Sequence, residues 1–247
     1  MEINGLTAIV TGASGRVGGA IAVALAKEGC KVVCHYHSNL PAVGQIVDQI
    51  NAFGGRAAAV KADLTIKEGI SKLFNACSEF NQPRILVNSA AIFKKASIPE
   101  ITGENATEML DTNLISPIMV SQAFAELIKD VNVKSNLPIA KIVNLVDIGG
   151  IRPWANYIMY CASKAGLIAA TKAMAKELAP AICVNAVAPG VVSWPEGADK
   201  AEYDRQVSMI PAGRIGKPEE IARAVVFLVK NDYITGQVLN VDGGRCI

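Results

Sequence analysis

Tyr160 and Lys164 stand four residues apart in a stretch of helix-forming residues, with Asp147 thirteen positions before the tyrosine and Asn113 further upstream. Positions i and i+4 of a helix share a face, so a phenol and an ammonium at this spacing can converge on one substrate atom. The chemistry on offer is proton donation. As a solvated surface pair the two residues would do nothing, and what decides between these readings is the rest of the chain. Tyr157, one turn earlier, has no lysine four residues on and reads as packing.

The start of the chain supplies the first positioning element. Leu6 to Val10 is an apolar, partly β-branched run. It is followed by Thr11-Gly12-Ala13-Ser14-Gly15-Arg16-Val17-Gly18 and then by an Ala-rich stretch, Ala20 to Lys27. This reads as strand, glycine turn, helix. Such a turn lets backbone approach a pyrophosphate, while the helix N-terminus offers unpaired N–H groups and a positive dipole end. The second strand, Lys31 to Tyr36, tells which dinucleotide is expected. An Asp or Glu at its end would bond ribose hydroxyls and repel a 2′-phosphate, but the chain runs His35-Tyr36-His37-Ser38-Asn39. Arg16 adds a fixed positive charge, and His37, Ser38 and Asn39 add donors for phosphate oxygens. NADP(H) is the expected cofactor.

With 247 residues and 51% hydrophobic content, the chain can bury one large core. A net charge of +2 without a basic block gives no reason to expect nucleic acid or an anionic membrane as partner. No apolar run reaches the length of a membrane span and no signal peptide is visible. Six cysteines without a CxxC pair suit a reducing cytoplasm, and two histidines, His35 and His37, are too few for a metal site. Further along, helix is expected over Pro41 to Phe53, Lys67 to Phe80, about 103 to 131, Asn156 to Leu178 and from Pro218. Strands are expected at Arg56 to Lys61, Arg84 to Asn88, Ala140 to Val146, Ala181 to Val187 and Gln237 to Val241. Seven strands alternating with helices imply an α/β, doubly wound parallel sheet with its ligand at the carboxyl edge. The expectation is one domain over 1–247, with one long irregular insertion at about 190–208 acting as a substrate lid.

The glycine turn, Asp63-Leu64, Asn88-Ser89-Ala90, Asn113, Tyr160-Cys161-Ala162-Ser163-Lys164 and Pro189-Gly190 fall in the order and nearly the spacing of the short-chain dehydrogenase/reductase family, which the whole chain resembles. The resemblance implies a three-layer Rossmann fold with strand order 3-2-1-4-5-6-7. It also implies a homotetramer, or a homodimer, packed through the two long helices. Three departures stand out: Asp147 replaces the usual serine, Arg16 the middle glycine, and Ser89 the second asparagine. The first two, with His35-Tyr36-His37, Phe93 and Tyr233-Ile234-Thr235-Gly236, are similar to the pteridine reductases. In that group the aspartate takes part in substrate binding and protonation, and the aromatic at the position of Phe93 stacks the pterin against the nicotinamide. A pterin offers N–H groups for a carboxylate and a flat face for a ring.

On this reading hydride passes to a C=N or C=O carbon and Tyr160 protonates the heteroatom. The nicotinamide lies beside Pro189, Gly190, Val191 and Ser193. Lys164, together with the positive nicotinamide ring after transfer, is expected to lower the phenol pKa by about 1–3 units and to bond the nicotinamide ribose. Asn113 holds a water that carries protons to Lys164. An ionised Asp147 would oppose the lysine, so it fits better as a binder of substrate N–H groups or as a second acid. Asp147 could instead cap the turn before Gly149, Phe93 could be core packing, and Trp194 could be a pocket wall or an oligomer contact. Two other functions stay open: a 3-oxoacyl-[acyl-carrier-protein] reductase, and an NADP-binding regulator without chemistry.

Overall fold

Seven short apolar runs form the strands of one parallel sheet: β1 (Thr7–Val10), β2 (Lys31–Tyr36), β3 (Arg56–Lys61), β4 (Pro83–Asn88), β5 (Ala140–Leu145), β6 (Ile182–Pro189) and β7 (Val238–Val241). Their order is β3-β2-β1-β4-β5-β6-β7. The structure is a computed structural model that describes residues 1–129, 138–194 and 199–247. Register aligns the carboxyl ends: Val10 pairs with Cys34 and Val87, Asn88 with Asn144, Leu145 with Val187, and Pro189 with Val241. Thr11, Asn88, Asp147 and Gly190 therefore leave the sheet along one edge.

Side chains alternate between the two faces of each strand, and each face meets its own helices. Ala8, Val10, Val32, Ile85, Val143 and Val187 pack against α1 (Arg16–Lys27), α2 (Leu40–Ala52) and α8 (Pro218–Lys230). Ile9, Val33, Leu86, Ile142 and Val184 pack against α3 (Lys67–Asn75), α5 (Ser116–Lys129) and the end of α6 (Ile158–Glu177). Strands buried on both faces have to read as near-continuous apolar runs, which is how β1, β4, β5 and β6 read. This is the three-layer doubly wound α/β fold the sequence implies.

Three elements differ from expectation. The helix expected over 103–131 is split into α4 (Gly103–Leu110), a π-turn at Asp111–Ile115, and α5; residues 130 and 131 lie outside the described residues. Pro117 explains the break, since it has no N–H to donate to the carbonyl of Asn113 four residues earlier. The helix expected to reach Phe80 ends at Asn75 and continues only as a 3₁₀ turn, Ala76–Glu79. The expected irregular insertion contains α7 (Lys200–Ser208), while 195–198 of it lie outside the described residues. Asp199 starts α7 by accepting the Ala201 N–H at 2.9 Å, and Glu202 pairs with Arg205 one turn on. Among the described residues, no helix is long and apolar enough to cross a membrane.

Candidate active site

The glycine turn works by close approach. Gly12 has φ +66°, and a Cβ there would come within 2.7 Å of the Ala90 Cα. At Gly18 a Cβ would collide with the carbonyl of Gly12. Thr11 fastens the turn to the loop after β4, its Oγ1 accepting the N–H groups of Ser89 and Ala90 at 2.9 and 3.0 Å. Helix α1 then starts at Arg16 with no side-chain cap, and the N–H groups of Arg16, Val17 and Gly18 have no backbone acceptor among the described residues. These donors belong to the wall of a cleft of about 730 Å³, on the scale of a ligand pocket. Gly12, Ser14, Gly15, His37, Ser38, Asp63, Leu64, Ser89, Ala90 and Ser193 line it as well.

Several expected cofactor contacts are placed differently: Tyr160, Lys164, Pro189, Gly190 and Val191 do not line this cleft, and Asn39 and Asn88 are turned to other partners. Asn39 is absent from the cleft lining, and its Oδ1 caps α2 by accepting the Ala42 N–H at 3.1 Å. Asn88 lines the cleft, but its amide turns inward, donating to Ser121 Oγ at 3.0 Å and Asn144 Oδ1 at 2.9 Å. Asp63 accepts from the backbone and hydroxyl of Thr65, and those bonds hold its carboxyl below the usual range.

At the same edge, α6 carries Tyr160 and Lys164 inward, with 6% and 3% exposure. Tyr160 donates its phenol to Asp147 Oδ2 at 2.9 Å, and Asp147 Oδ1 accepts the Gly149 N–H at 2.7 Å. Asp147 thus both caps its turn and holds the phenol. The turn can reach α6 only because of Gly150, where a Cβ would lie 2.8 Å from the Lys164 carbonyl carbon. Lys164 donates to the Leu145 carbonyl at 2.9 Å, and its Nζ lies 5.8 Å from the Tyr160 ring centroid. Asn113 spends its amide on Ile92, accepting that N–H at 2.8 Å and donating to its carbonyl at 2.9 Å. It fixes the loop that carries Phe93.

Burial governs the protonation of this group. It pushes Asp147 above its usual range, against the opposing pull of Gly149, Tyr160 and Lys164. Burial, and then the Asp147 carboxylate, push Tyr160 well above 10. Lys164 falls to about 8 through burial, with Asp147 resisting the fall. In the protein alone the phenol is raised, because burial and then the hydrogen-bonded carboxylate outweigh a lysine that is turned to Leu145.

An aromatic cluster surrounds the phenol. Phe93 is 58% exposed, so it is not core packing. It stacks on Tyr157 at 4.7 Å and 10°, and meets Tyr160 edge-on at 4.7 Å. Trp154, which sequence reasoning missed, lies over Tyr160 at 6.3 Å and 18°. Trp194 is set apart from these rings and packs edge-on against Tyr203 of α7 at 5.6 Å. Pro189 closes β6, and a Cβ at Gly190 would lie 2.8 Å from the Asp242 Cα. The carbonyl of Val191 is taken by the Gly216 N–H at 2.8 Å.

Residues 12–245 match the family described as enoyl-(acyl carrier protein) reductase. The chain is 30% identical to, and superposes with TM-score 0.89 on, a mutant form of a short-chain dehydrogenase/reductase of Serratia marcescens, each chain covered in full. The chain belongs to the short-chain dehydrogenase/reductase family. It is also 35% identical over 96% of its length to the 3-oxoacyl-[acyl-carrier-protein] reductase of Synechocystis sp., of which 95% is covered. A further relative, glucose 1-dehydrogenase 2 of Bacillus subtilis, is 33% identical, with 100% and 96% of the two chains covered. Relatives of similar rank thus carry unlike substrate names. Short-chain dehydrogenase/reductases take nicotinamide dinucleotides, and the residues here fit one: open N–H groups at the start of α1, a turn with no room for side chains, and a cleft running toward the loop of Ile92. Thr11 and His35 went unnoticed as site residues because each acts through a partner distant in sequence.

Proposed function

We infer that this short-chain dehydrogenase/reductase is an NADPH-dependent reductase of a small, flat, polar compound with a C=N or C=O group, a pterin or dihydropterin being the best fit. The observation that carries this reading is Asp147, a half-buried carboxylate bonded to the Tyr160 phenol at 2.9 Å beside the exposed ring of Phe93. A carboxylate suits substrate N–H groups and an open ring suits a flat heterocycle, whereas an acyl chain needs neither.

The bound dinucleotide supplies the hydride. Tyr160 gives its proton to the substrate heteroatom, and Asp147 receives substrate N–H groups or, with its raised pKa, supplies a second proton. Lys164 holds positive charge at the base of the site, Asn113 steadies the Phe93 loop, and Ser193 with Pro189, Gly190 and Val191 holds the carboxamide end. Arg16, His37 and Ser38 select the 2′-phosphate. Trp194, tied to α7, forms a wall of the lid over 190–208. Ile115 at the end of the π-turn and Met119 and Leu127 on α5 expose apolar surface, which suits a homo-oligomer.

The identity with the Synechocystis relative favours a second reading, a 3-oxoacyl-[acyl-carrier-protein] reductase. Turnover of dihydropterin against acetoacetyl thioester, with NADPH saturating, separates the two. Faster thioester turnover reverses the order. Fluorescence titration with NADPH and NADH tests the cofactor, and tighter NADH binding overturns that assignment.

A further inference from the structure

His35 closes the glycine turn from behind. It lies at the next-to-last position of β2 with 2% exposure, at the inner wall of the cleft. Its backbone carbonyl accepts the Ala13 N–H at 2.8 Å, and its Nδ1 accepts the Gly12 N–H at 3.1 Å. On the far side of the ring, Nε2 lies 3.1 Å from the Ala62 carbonyl. Two successive N–H groups of the turn thus hang on one residue.

The partners assign the tautomer. Gly12 N–H can only donate, so Nδ1 carries no hydrogen; the Ala62 carbonyl can only accept, so Nε2 carries it. With both ring nitrogens committed, the imidazole is neutral. A proton added at Nδ1 would set N–H against N–H and replace a part-buried hydrogen bond by a repulsion. The affected residue is the one with least freedom, since Gly12 sits at φ +66°, its Cα against Ala90 and its carbonyl under Gly18 while accepting the Gly15 N–H at 3.0 Å. Moving Gly12 moves the cap residue of α1, and with it the open donors of Arg16, Val17 and Gly18.

We propose that His35 is a positioning residue for the dinucleotide site: its neutral, Nε2-protonated ring holds the glycine turn in its phosphate-receiving form, and a proton at Nδ1 releases the turn and weakens the dinucleotide. The charged groups facing the ring are His37 from the segment after β2, which disfavours a second proton, and Asp63 from the segment after β3, which favours one. Arg16 lines the same cleft from the turn itself. Burial dominates these and keeps the ring's pKa below its ordinary 6.5. The inference rests on family membership and not on the identity of the substrate.

The test is the dissociation constant of NADH and of NADPH, measured by fluorescence from pH 4.5 to 8 for the wild type and His35→Asn. Asparagine keeps a side-chain acceptor for Gly12 but does not titrate. Both proteins share the titration of the nucleotide phosphates and differ at this one side chain, so the ratio of their constants isolates His35. Below the pKa of His35 the wild type should lose about tenfold in affinity for either nucleotide per pH unit relative to His35→Asn. ¹⁵N spectra of the imidazole in cofactor-free wild type provide a readout that needs no variant to fold, and should show a neutral ring protonated at Nε2 at pH 7. Constants for the two proteins that run parallel across the whole range overturn the proposal, as does a ring protonated at Nδ1 at pH 7.

Discussion

Replacing Lys164 by methionine should alter how stability depends on pH, by an amount the site's geometry fixes. The ammonium is 3% exposed, donates one bond to the Leu145 carbonyl and has Asp147 as its compensating charge. Burial lowers its pKa from 10.5 to about 8. Below pH 8, folded and unfolded chains both hold the proton, and the folded state bears the cost of the buried charge. Between pH 8 and 10.5 only the unfolded chain binds it, so stability rises with pH across that window, at ~1.4 kcal/mol per pH unit and roughly 3 kcal/mol in all. Methionine removes the titrating group at similar length. Urea unfolding of both cofactor-free proteins from pH 7 to 10.5 makes the comparison, because every other group titrates alike in the two. The wild type should gain roughly 2–4 kcal/mol on Lys164→Met over this range, most of it above pH 8. At pH 7 the variant should be about 2 kcal/mol more stable than the wild type, since the lost Leu145 bond, worth ~1 kcal/mol, is outweighed by removal of a buried charge that costs roughly 3 kcal/mol. A stability difference that stays constant from pH 7 to 10.5 refutes the account of Lys164 as a buried, strained cation.

Tyr160→Phe should lower the reduction rate by about 10²–10⁴ while NADPH affinity stays within about threefold; a loss under tenfold removes the phenol from the proton step. Asp147→Ser takes the carboxylate from the phenol, so tyrosinate absorbance for Tyr160, read as the difference from the matching Tyr160→Phe double variant, should move to lower pH. The same variant should lose about tenfold in dihydropterin turnover relative to acetoacetyl thioester, and an unchanged ratio argues against Asp147 as the substrate-selecting group. Away from the site, Lys141 is 1% exposed and pairs with Asp232 at 2.8 Å. Asp232→Ala should cost about 2–3 kcal/mol in urea unfolding, less than the ~3–5 of a fully buried pair because Asp232 is 28% exposed.

What could be read in the sequence was what local pattern controls. β2 and β3 begin and end where expected because a glycine precedes each and polar residues follow. The order of the strands came from the family resemblance, and from the handedness rule only the placing of helices on both faces. The π-turn was missed because a helical period continues through Asp111–Ile115 while the cause lies in the backbone, where Pro117 withholds one donor. α7 was missed because a polar, charged segment without an apolar stripe resembles a loop. In the site, the i, i+4 pair was visible because one helix carries both residues. The inward turn of Lys164 to Leu145 and the bond from Tyr160 to Asp147 depend on β5 and α6 meeting, which no local pattern encodes. His35 shows the same limit: it touches Gly12 because Val10 pairs with Cys34, a fact of register.

The protonation of the cluster also bears on direction. A phenol held well above 10 by burial and by Asp147 keeps its proton at every physiological pH. Such a group is always loaded for reduction, though a weak acid, and is unready to act as a base for oxidation. Were the usual serine at 147, the phenol would lose the neighbouring negative charge and the two directions would be more evenly served. Rates for the reductive reaction should therefore be nearly independent of pH from about 6 to 9 apart from a step near 8, where Lys164 loses its charge, because the donor is always loaded. Oxidation of the corresponding reduced compound should climb about tenfold per pH unit over the same span, since each unit raises the small fraction of free phenolate by that factor. Initial rates in both directions at saturating cofactor decide the matter. An oxidation profile that levels off below pH 9 would mean that the proton leaves through a group other than a carboxylate-bound Tyr160.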